Sequence, residues 1–161
     1  MKIRLLILLI FAVNFVTKAQ GITITSATSW TVSPLSSANI ITKAGKDYAG
    51  FETSPANQTL LKLTGTVLCS INIQQVTGAN WDSNLKIYAR RSGAGTGLAI
   101  LLGGGSYQLV TTSSTQLFTA ALGILLGKED IPIQYQIQGL SVLLPAKSYS
   151  TTIMYTISVV L

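Results

Sequence analysis

Apolar and polar residues alternate with a period of two through most of this chain. In residues 131–138 the odd positions are apolar or aromatic, and the even positions are proline or glutamine. Because successive side chains of a strand point to opposite faces of a sheet, the pattern predicts a half-buried strand with glutamines along its outer face. Pro132 has no amide hydrogen, which favours a sheet edge or a strand start at that point.

The alternation is longest in the final segment of the chain. Its predicted core face carries Tyr149, Ile153, Tyr155, Ile157 and Val159, and the opposite face is mainly serine and threonine. We expect this strand to supply a large part of the core and to close the sheet.

Shorter candidate strands occupy residues 22–25, 39–42, 59–63, 67–74, 84–90, 106–110 and 116–119. Clusters of Gly, Ser, Asn and Pro separate them, and the glycines of 93–97 and 103–105 predict flexible hairpin turns. Residues 120–126 allow one short turn of helix, although Gly123 weakens it. The pattern predicts a single antiparallel β-sandwich over residues 20–161 with little or no helix.

Residues 1–19 have the features of a secretory signal peptide. Lys2 and Arg4 precede an apolar stretch, and Thr17-Lys18-Ala19 offers a small-x-small cleavage site, so the mature chain is expected to begin at Gln20. The apolar stretch is shorter than the roughly 20 residues of a membrane-spanning helix. We therefore expect a secreted protein without a transmembrane segment, extracellular or at the cell surface, and a periplasmic stage in transit is compatible with this.

Charge argues against a nucleic-acid partner. The whole chain carries +6, but the leader removes three basic residues and leaves eight against five acidic ones, or +3. Arg90 and Arg91 form the only adjacent basic pair, whereas nucleic-acid binding needs clustered bases.

Charged residues make up 10% of the chain, against a usual share of about 25%. The deficit has two open interpretations. Either the outer faces carry hydroxyl and amide groups, or the chain packs against copies of itself, where a buried unpaired charge would be costly.

Candidate catalytic chemistry is sparse. The chain has no histidine, which excludes Ser-His-Asp and Cys-His catalysis and the commonest zinc ligand. A hydrolase would need two of the five carboxylates about 5–9.5 Å apart; these are Asp47, Glu52, Asp82, Glu129 and Asp130. No repeated Asp-x-Asp spacing supports a calcium site. We expect no enzyme activity, no metal and no cofactor.

Cys69 is the only cysteine, so it cannot form a disulfide within the chain. Its apolar neighbours favour a buried thiol, and a bridge between chains is the alternative.

Aromatic residues give a separate indication of ligand binding. Trp81 lies at a predicted loop-to-strand junction beside Asp82, and Tyr88 and Arg90 follow on the next strand. Exposed aromatic rings stack on sugars, and polar neighbours bond hydroxyl groups. The alternative for Trp81 is packing in the core of a small sandwich.

Residues 149–157 resemble the final strand of bacterial surface β-domains of the WxL type, with Tyr155-Thr156-Ile157 in place of Trp-x-Leu. Residues 81–85 stand near the earlier motif of that family, spaced W-x-x-x-L. An alternating final strand is also similar to that of fimbrial subunits, which share strands between neighbours. These resemblances imply an immunoglobulin-like or fimbrial-like sandwich with a surface or structural role.

The resulting prediction is a secreted, non-enzymatic adhesin or fimbria-like subunit that assembles with copies of itself or with other surface subunits. The expected donated strand is residues 20–32, because Ile22 and Ile24 alternate with polar residues as strand addition requires. Tyr155 and Ile157 of the final strand complete the candidate assembly residues. The alternative is a carbohydrate- or cell-wall-binding module that uses Trp81.

Overall fold

A computed structural model describes residues 20–32, 50–123, 127–141 and 143–160, which form strands and no helix. The strands are β1 (Gly21–Ala27), β2 (Phe51–Thr53), β3 (Thr59–Thr64), β4 (Leu68–Thr77), β5 (Lys86–Arg91), β6 (Ile100–Leu102), β7 (Gln108–Val110), β8 (Thr115–Ala121), β9 (Lys128–Gln138) and β10 (Thr151–Val159). Within these ranges no helix is long and apolar enough to cross a membrane. The predicted leader at 1–19 and the predicted strand at 39–42 lie outside the described residues.

Two antiparallel sheets pack face to face, which confirms the predicted β-sandwich. The larger sheet has the order β1-β3-β9-β5-β7, and β2 pairs with β9 beyond the end of β3. The smaller sheet has the order β10-β4-β8-β6. Both β1 and β10 are therefore edge strands, one in each sheet.

The core lies between the two inner faces. Its largest fully buried side chains are Phe118, Leu61, Leu63, Ile71, Ile73, Ile131, Ile133 and Cys69. Burying a side chain such as isoleucine or phenylalanine contributes about 1.5–3 kcal/mol, so this set supplies much of the folding free energy. In β9 the period-two alternation placed Ile131 and Ile133 on the buried face, as the sequence predicted.

Cys69 is a buried free thiol, as its apolar neighbours indicated. Its side chain has no exposed surface, and its Sγ–H donates to the carbonyl oxygen of Ala120 at 3.5 Å. Burial raises the pKa of the thiol. A bridge to another chain is not accessible in this fold.

The predicted glutamine stripe is present on the outer face of β9. Gln134 bonds Arg90 and the backbone of Ser54, and the Gln138 amide donates to Gln136 at 3.2 Å. Gln136 is nevertheless only 5% exposed.

The prediction for Pro132 was wrong, because it lies inside β9 and β9 lies between β3 and β5. Pro132 stands opposite Leu60 of β3. Its carbonyl points toward β5 and accepts from the Ser92 N–H at 2.9 Å, just after β5 ends at Arg91. Because Ser92 directly follows β5, the missing amide hydrogen removes a hydrogen bond only at the end of the pairing between β9 and β5.

The glycine-rich segments connect the two sheets, and the predicted hairpin turns are not formed there. Residues 93–97 lead from β5 in the larger sheet to β6 in the smaller sheet, and residues 103–105 lead back to β7. Gly104 has a φ of 76°, which favours glycine, and an added Cβ would crowd the Leu117 carbonyl and Phe118.

Two strands were missed, and a short helical turn was misplaced. With three residues each, β2 and β6 are too short to show a period of two. Ala120 and Ala121, expected at the start of the helical turn, end β8. Residues 124–126 lie outside the described part of the chain.

Candidate functional site

The open edge of β10 is the most distinctive surface of the sandwich. β10 pairs with β4 in an unbroken register from Thr151 opposite Thr77 to Val159 opposite Cys69. On its other side, no strand among the described residues pairs with it.

The backbone groups on that open side follow from the register. The Val160 N–H donates to the Leu68 carbonyl at 3.1 Å, so residue 160 directs its polar groups toward β4. Because this direction alternates along an antiparallel strand, the odd-numbered residues direct theirs outward. The outward-facing residues are Thr151, Ile153, Tyr155, Ile157 and Val159.

β10 lacks the features that usually protect an edge from pairing. Natural edge strands are blunted by charged side chains, proline, bulges or shortness. β10 has nine residues, no charged residue, no proline and no register shift. By contrast, β1 has a bulge between Ile24 and Ser26, and β6 and β7 are only three residues long.

Side chains hold β10 to the rest of the sandwich. Ile153, Tyr155 and Ile157 pack against the core. The Tyr155 hydroxyl lies 2.6 Å from that of Tyr135, which in turn lies 2.8 Å from the Thr59 hydroxyl. Burial raises the pKa of Tyr135 and raises that of Tyr155 well above its usual range. Both phenols therefore stay protonated and link the two sheets across the core.

The strand expected to be donated to a neighbour lies in its own chain's sheet. In β1, Ile22 lies opposite Leu63 and Ile24 opposite Leu61, both fully buried residues of β3. Ile22 packs against the core, while Ile24 remains 48% exposed. The assembly residues of β1 thus already form part of the larger sheet.

Trp81 lies in the loop between β4 and β5, where it packs against the core and also lines an open cleft of about 360 Å³. Asp82 shapes this loop, since its Oδ1 accepts the Asn84 N–H at 2.9 Å and its carbonyl accepts the Leu85 N–H at 3.1 Å. The other cleft residues come from the ends of β4, β5 and β7 and from the loops that adjoin them: Gln75, Thr77, Gly78, Ser83, Leu85, Lys86, Leu109, Val110, Thr111 and Thr112. Trp81 therefore packs against the core and also presents part of its surface to the cleft, where a ligand could contact it.

Tyr88 and Arg90 lie elsewhere, on the outer face of the larger sheet. The Arg90 guanidinium donates from Nε and Nη2 to Gln134 Oε1 at 3.0 and 2.8 Å and lies 4.8 Å from the centre of the Tyr107 ring. Neither Tyr88 nor Arg90 lines the cleft. Asp82 does not line it either, so of the four predicted binding residues Trp81 alone lines the cleft.

Glu52 and Glu129, two of the described carboxylates, do not form a catalytic pair. Glu129 forms an ion pair with Lys62 at a β9 bulge, where Asp130 has a φ of 52°. Glu52 lies opposite Ile137, eight residues along β9 from Glu129. At about 3.3 Å per residue, this is roughly 26 Å, too far for a glycosidase pair. Asp47 lies outside the described residues, and within them no three His, Cys, Asp or Glu side chains are grouped to hold a metal.

An apolar row on the outer face of the smaller sheet was not predicted. It passes through Ile100 of β6, Ala121 of β8 and Leu68 of β4 to Val160, the residue after β10. Ile100 is 62% exposed, and both Leu68 and Val160 are 40% exposed. In the sequence this row is visible only as two short apolar clusters, at residues 67–68 and 100–102. Their alignment depends on strand pairing, which the sequence pattern does not show.

Comparison with protein-family models, curated proteins and solved structures found no match to this chain.

Proposed function

We propose that this protein is a secreted, non-enzymatic structural or adhesive subunit that assembles through the edge of its smaller sheet. The observation that supports this most is the long, uncharged and regular edge of β10. Strand addition at such an edge satisfies main-chain hydrogen bonds, while alternate side chains set the register. The leader sequence supports export.

Two further features favour assembly. The apolar row crosses the solvent face of the smaller sheet and ends at Val160, the residue after β10. Exposed apolar clusters of this kind often mark contact surfaces. A low content of charged residues also suits a subunit, since buried unpaired charges would oppose association.

Light scattering coupled to size-exclusion chromatography tests this proposal on the mature chain, residues 20–161. The mass is expected to rise with concentration above that of one chain, and electron microscopy should show the assemblies. A chain that stays monomeric from micromolar to millimolar concentration contradicts the proposal. N-terminal sequencing of the exported protein is expected to begin at Gln20.

The second candidate function is glycan or cell-wall binding in the cleft beside Trp81. It is supported by an aromatic ring that lines a cleft rich in hydroxyl and amide side chains. Binding to a glycan array or to peptidoglycan should be lost in Trp81→Ala and weakened in Lys86→Ala. Tyr88→Ala is the matched control, because Tyr88 lies outside the cleft. Binding that survives Trp81→Ala rules out this site.

A further inference from the structure

The sequence of β10 is close to a palindrome centred on Tyr155. Ile153 and Ile157 lie two residues away on either side, and Thr152 and Ser158 lie three residues away. The outermost pair is Thr151 and Val159, and the innermost pair is Met154 and Thr156. The Ile153 and Ile157 pair is identical, the Thr152 and Ser158 pair is similar, and the other two pairs combine an apolar residue with threonine; none of these residues is charged.

The outward-facing backbone groups have the same centre. Of the five residues that direct N–H and C=O groups to the open side, Tyr155 is the middle one. An antiparallel strand whose own Tyr155 stood opposite would meet every one of these groups with a matching partner. A shift of two residues would leave outward groups unpaired at the ends.

We propose that two copies of this chain pair β10 against β10, antiparallel, about a two-fold axis at Tyr155. The inference rests on the proposed function and names its partner, a second copy. The two four-stranded sheets then become one continuous eight-stranded sheet. A two-fold contact of this kind uses the same surface on both subunits.

Side chains fit this register on both faces. On the core side, Ile153 lies opposite the partner's Ile157. On the solvent side, Met154 lies opposite the partner's Thr156 in a non-hydrogen-bonded pair, with Cα atoms about 4.5 Å apart. Opposed β-branched and apolar side chains stabilise antiparallel pairs.

The edge of the larger sheet beside β10 also favours a second copy of this chain as the partner. β1 contacts β10, and Ile24 faces the core side of β1 yet remains 48% exposed. A second copy seated at this side of the sandwich is expected to cover that side chain. The bulge in β1 makes β1 itself a less regular template than β10.

Charge placement at the proposed contact tests the pairing. Met154 is 41% exposed and Thr156 is also exposed, so M154K/T156K should fold normally while placing lysine opposite lysine across the axis. Dimer affinity is expected to fall about tenfold or more in M154K/T156K and likewise in M154E/T156E. An equimolar mixture of the two double variants should associate again. Thr119→Lys, on the outer face of β8, is the control and should associate like the wild type.

Cysteine cross-linking tests the register. Met154→Cys chains mixed with Thr156→Cys chains should form disulfides between the two variants, because a non-hydrogen-bonded pair has suitable spacing. Either variant alone should cross-link much less, since its two cysteines would be diagonal neighbours about 7–8 Å apart. The native Cys69 is buried and does not interfere.

The outcomes separate the two proposals. Assembly without preferential cross-linking of the mixture, or without rescue by opposite charges, overturns the β10 pairing and leaves edge assembly standing. A wild-type chain that is monomeric throughout overturns both. Cross-linking of the mixture together with charge rescue supports the two-fold contact.

Discussion

Replacing Tyr155 with phenylalanine removes one hydroxyl from the chain of three that joins the two sheets. The ring can keep its packing against the core, and Tyr135 keeps its hydrogen bond to Thr59 at 2.8 Å. The lost interaction is the 2.6 Å hydrogen bond between the two phenols. A neutral hydrogen bond contributes about 0.5–1.5 kcal/mol net, and the retained bond to Thr59 places the expected loss near the lower end. The melting temperature should fall by about 2–5 °C.

The same substitution should change the alkaline limb of the stability profile. Burial raises the folded-state pKa of Tyr155 well above its usual range, so the folded protein holds a proton that the unfolded chain releases above about pH 10. The associated stability is complete below that pH and is lost as pH rises, by about 1.4 kcal/mol per pH unit for each such group. Tyr155→Phe removes this dependence for one group. Its deficit at pH 8 should therefore shrink as pH rises and then reverse.

Urea unfolding at pH 8, 10 and 11 measures both effects, at a protein concentration where the chain is monomeric. Tyr88→Phe, on the outer face of β5, controls for loss of a phenol and should change stability at pH 8 by less than about 0.5 kcal/mol. If the wild type and Tyr155→Phe lose stability in parallel from pH 10 to 11, the buried hydroxyl chain does not govern the alkaline response.

Three other predictions follow from the fold. Cys69 should react with a thiol reagent only when the chain unfolds, because the thiol is buried and its pKa is raised; rapid labelling of the native protein would contradict its placement. Gly139→Ala should lower the free energy of unfolding by more than about 2 kcal/mol in chemical denaturation, since φ is 85° and the new Cβ would collide with the Asn84 carbonyl oxygen. Gly103→Ala is the control, because Gly103 has a φ of 79° and open space around it, and it should lower the free energy of unfolding by only about 1 kcal/mol. Equal losses in the two variants would argue against the collision. Glu129→Gln breaks an exposed ion pair with a lysine of β3, so its cost should be about 0–1 kcal/mol and should fall with salt; a loss above about 2 kcal/mol would show that the pair is not solvent-screened.

The sequence predicted the residue types of the candidate binding site but not their arrangement in space. The aromatic and polar residues from Trp81 to Arg90 are close in sequence, which suggested one binding surface. The chain instead passes from a loop at the end of the sandwich into β5, so Trp81 faces the cleft while Arg90 lies on the outer face. Each residue along a strand lies about 3.3 Å farther from the loop that precedes it. The local sequence does not indicate which surface of the sandwich each of these residues reaches.

The sequence by itself determined which residues form the long strands and which of their faces are buried. The alternation in β9 and β10 indicated the buried face, because side-chain direction along a strand is a property of the local backbone. It did not indicate that Tyr149 precedes β10 or that Val159 is 50% exposed. Only the tertiary structure decided which strands are neighbours. It decided that Pro132 stands opposite the residue that follows β5 and that the glycine-rich segments cross between the sheets. It also decided that β10 lies at the edge of the smaller sheet, with no partner strand on its other side among the described residues. Strand pairing joins residues far apart in the chain through backbone groups common to all residues, so the amino-acid pattern of one strand does not name its partner.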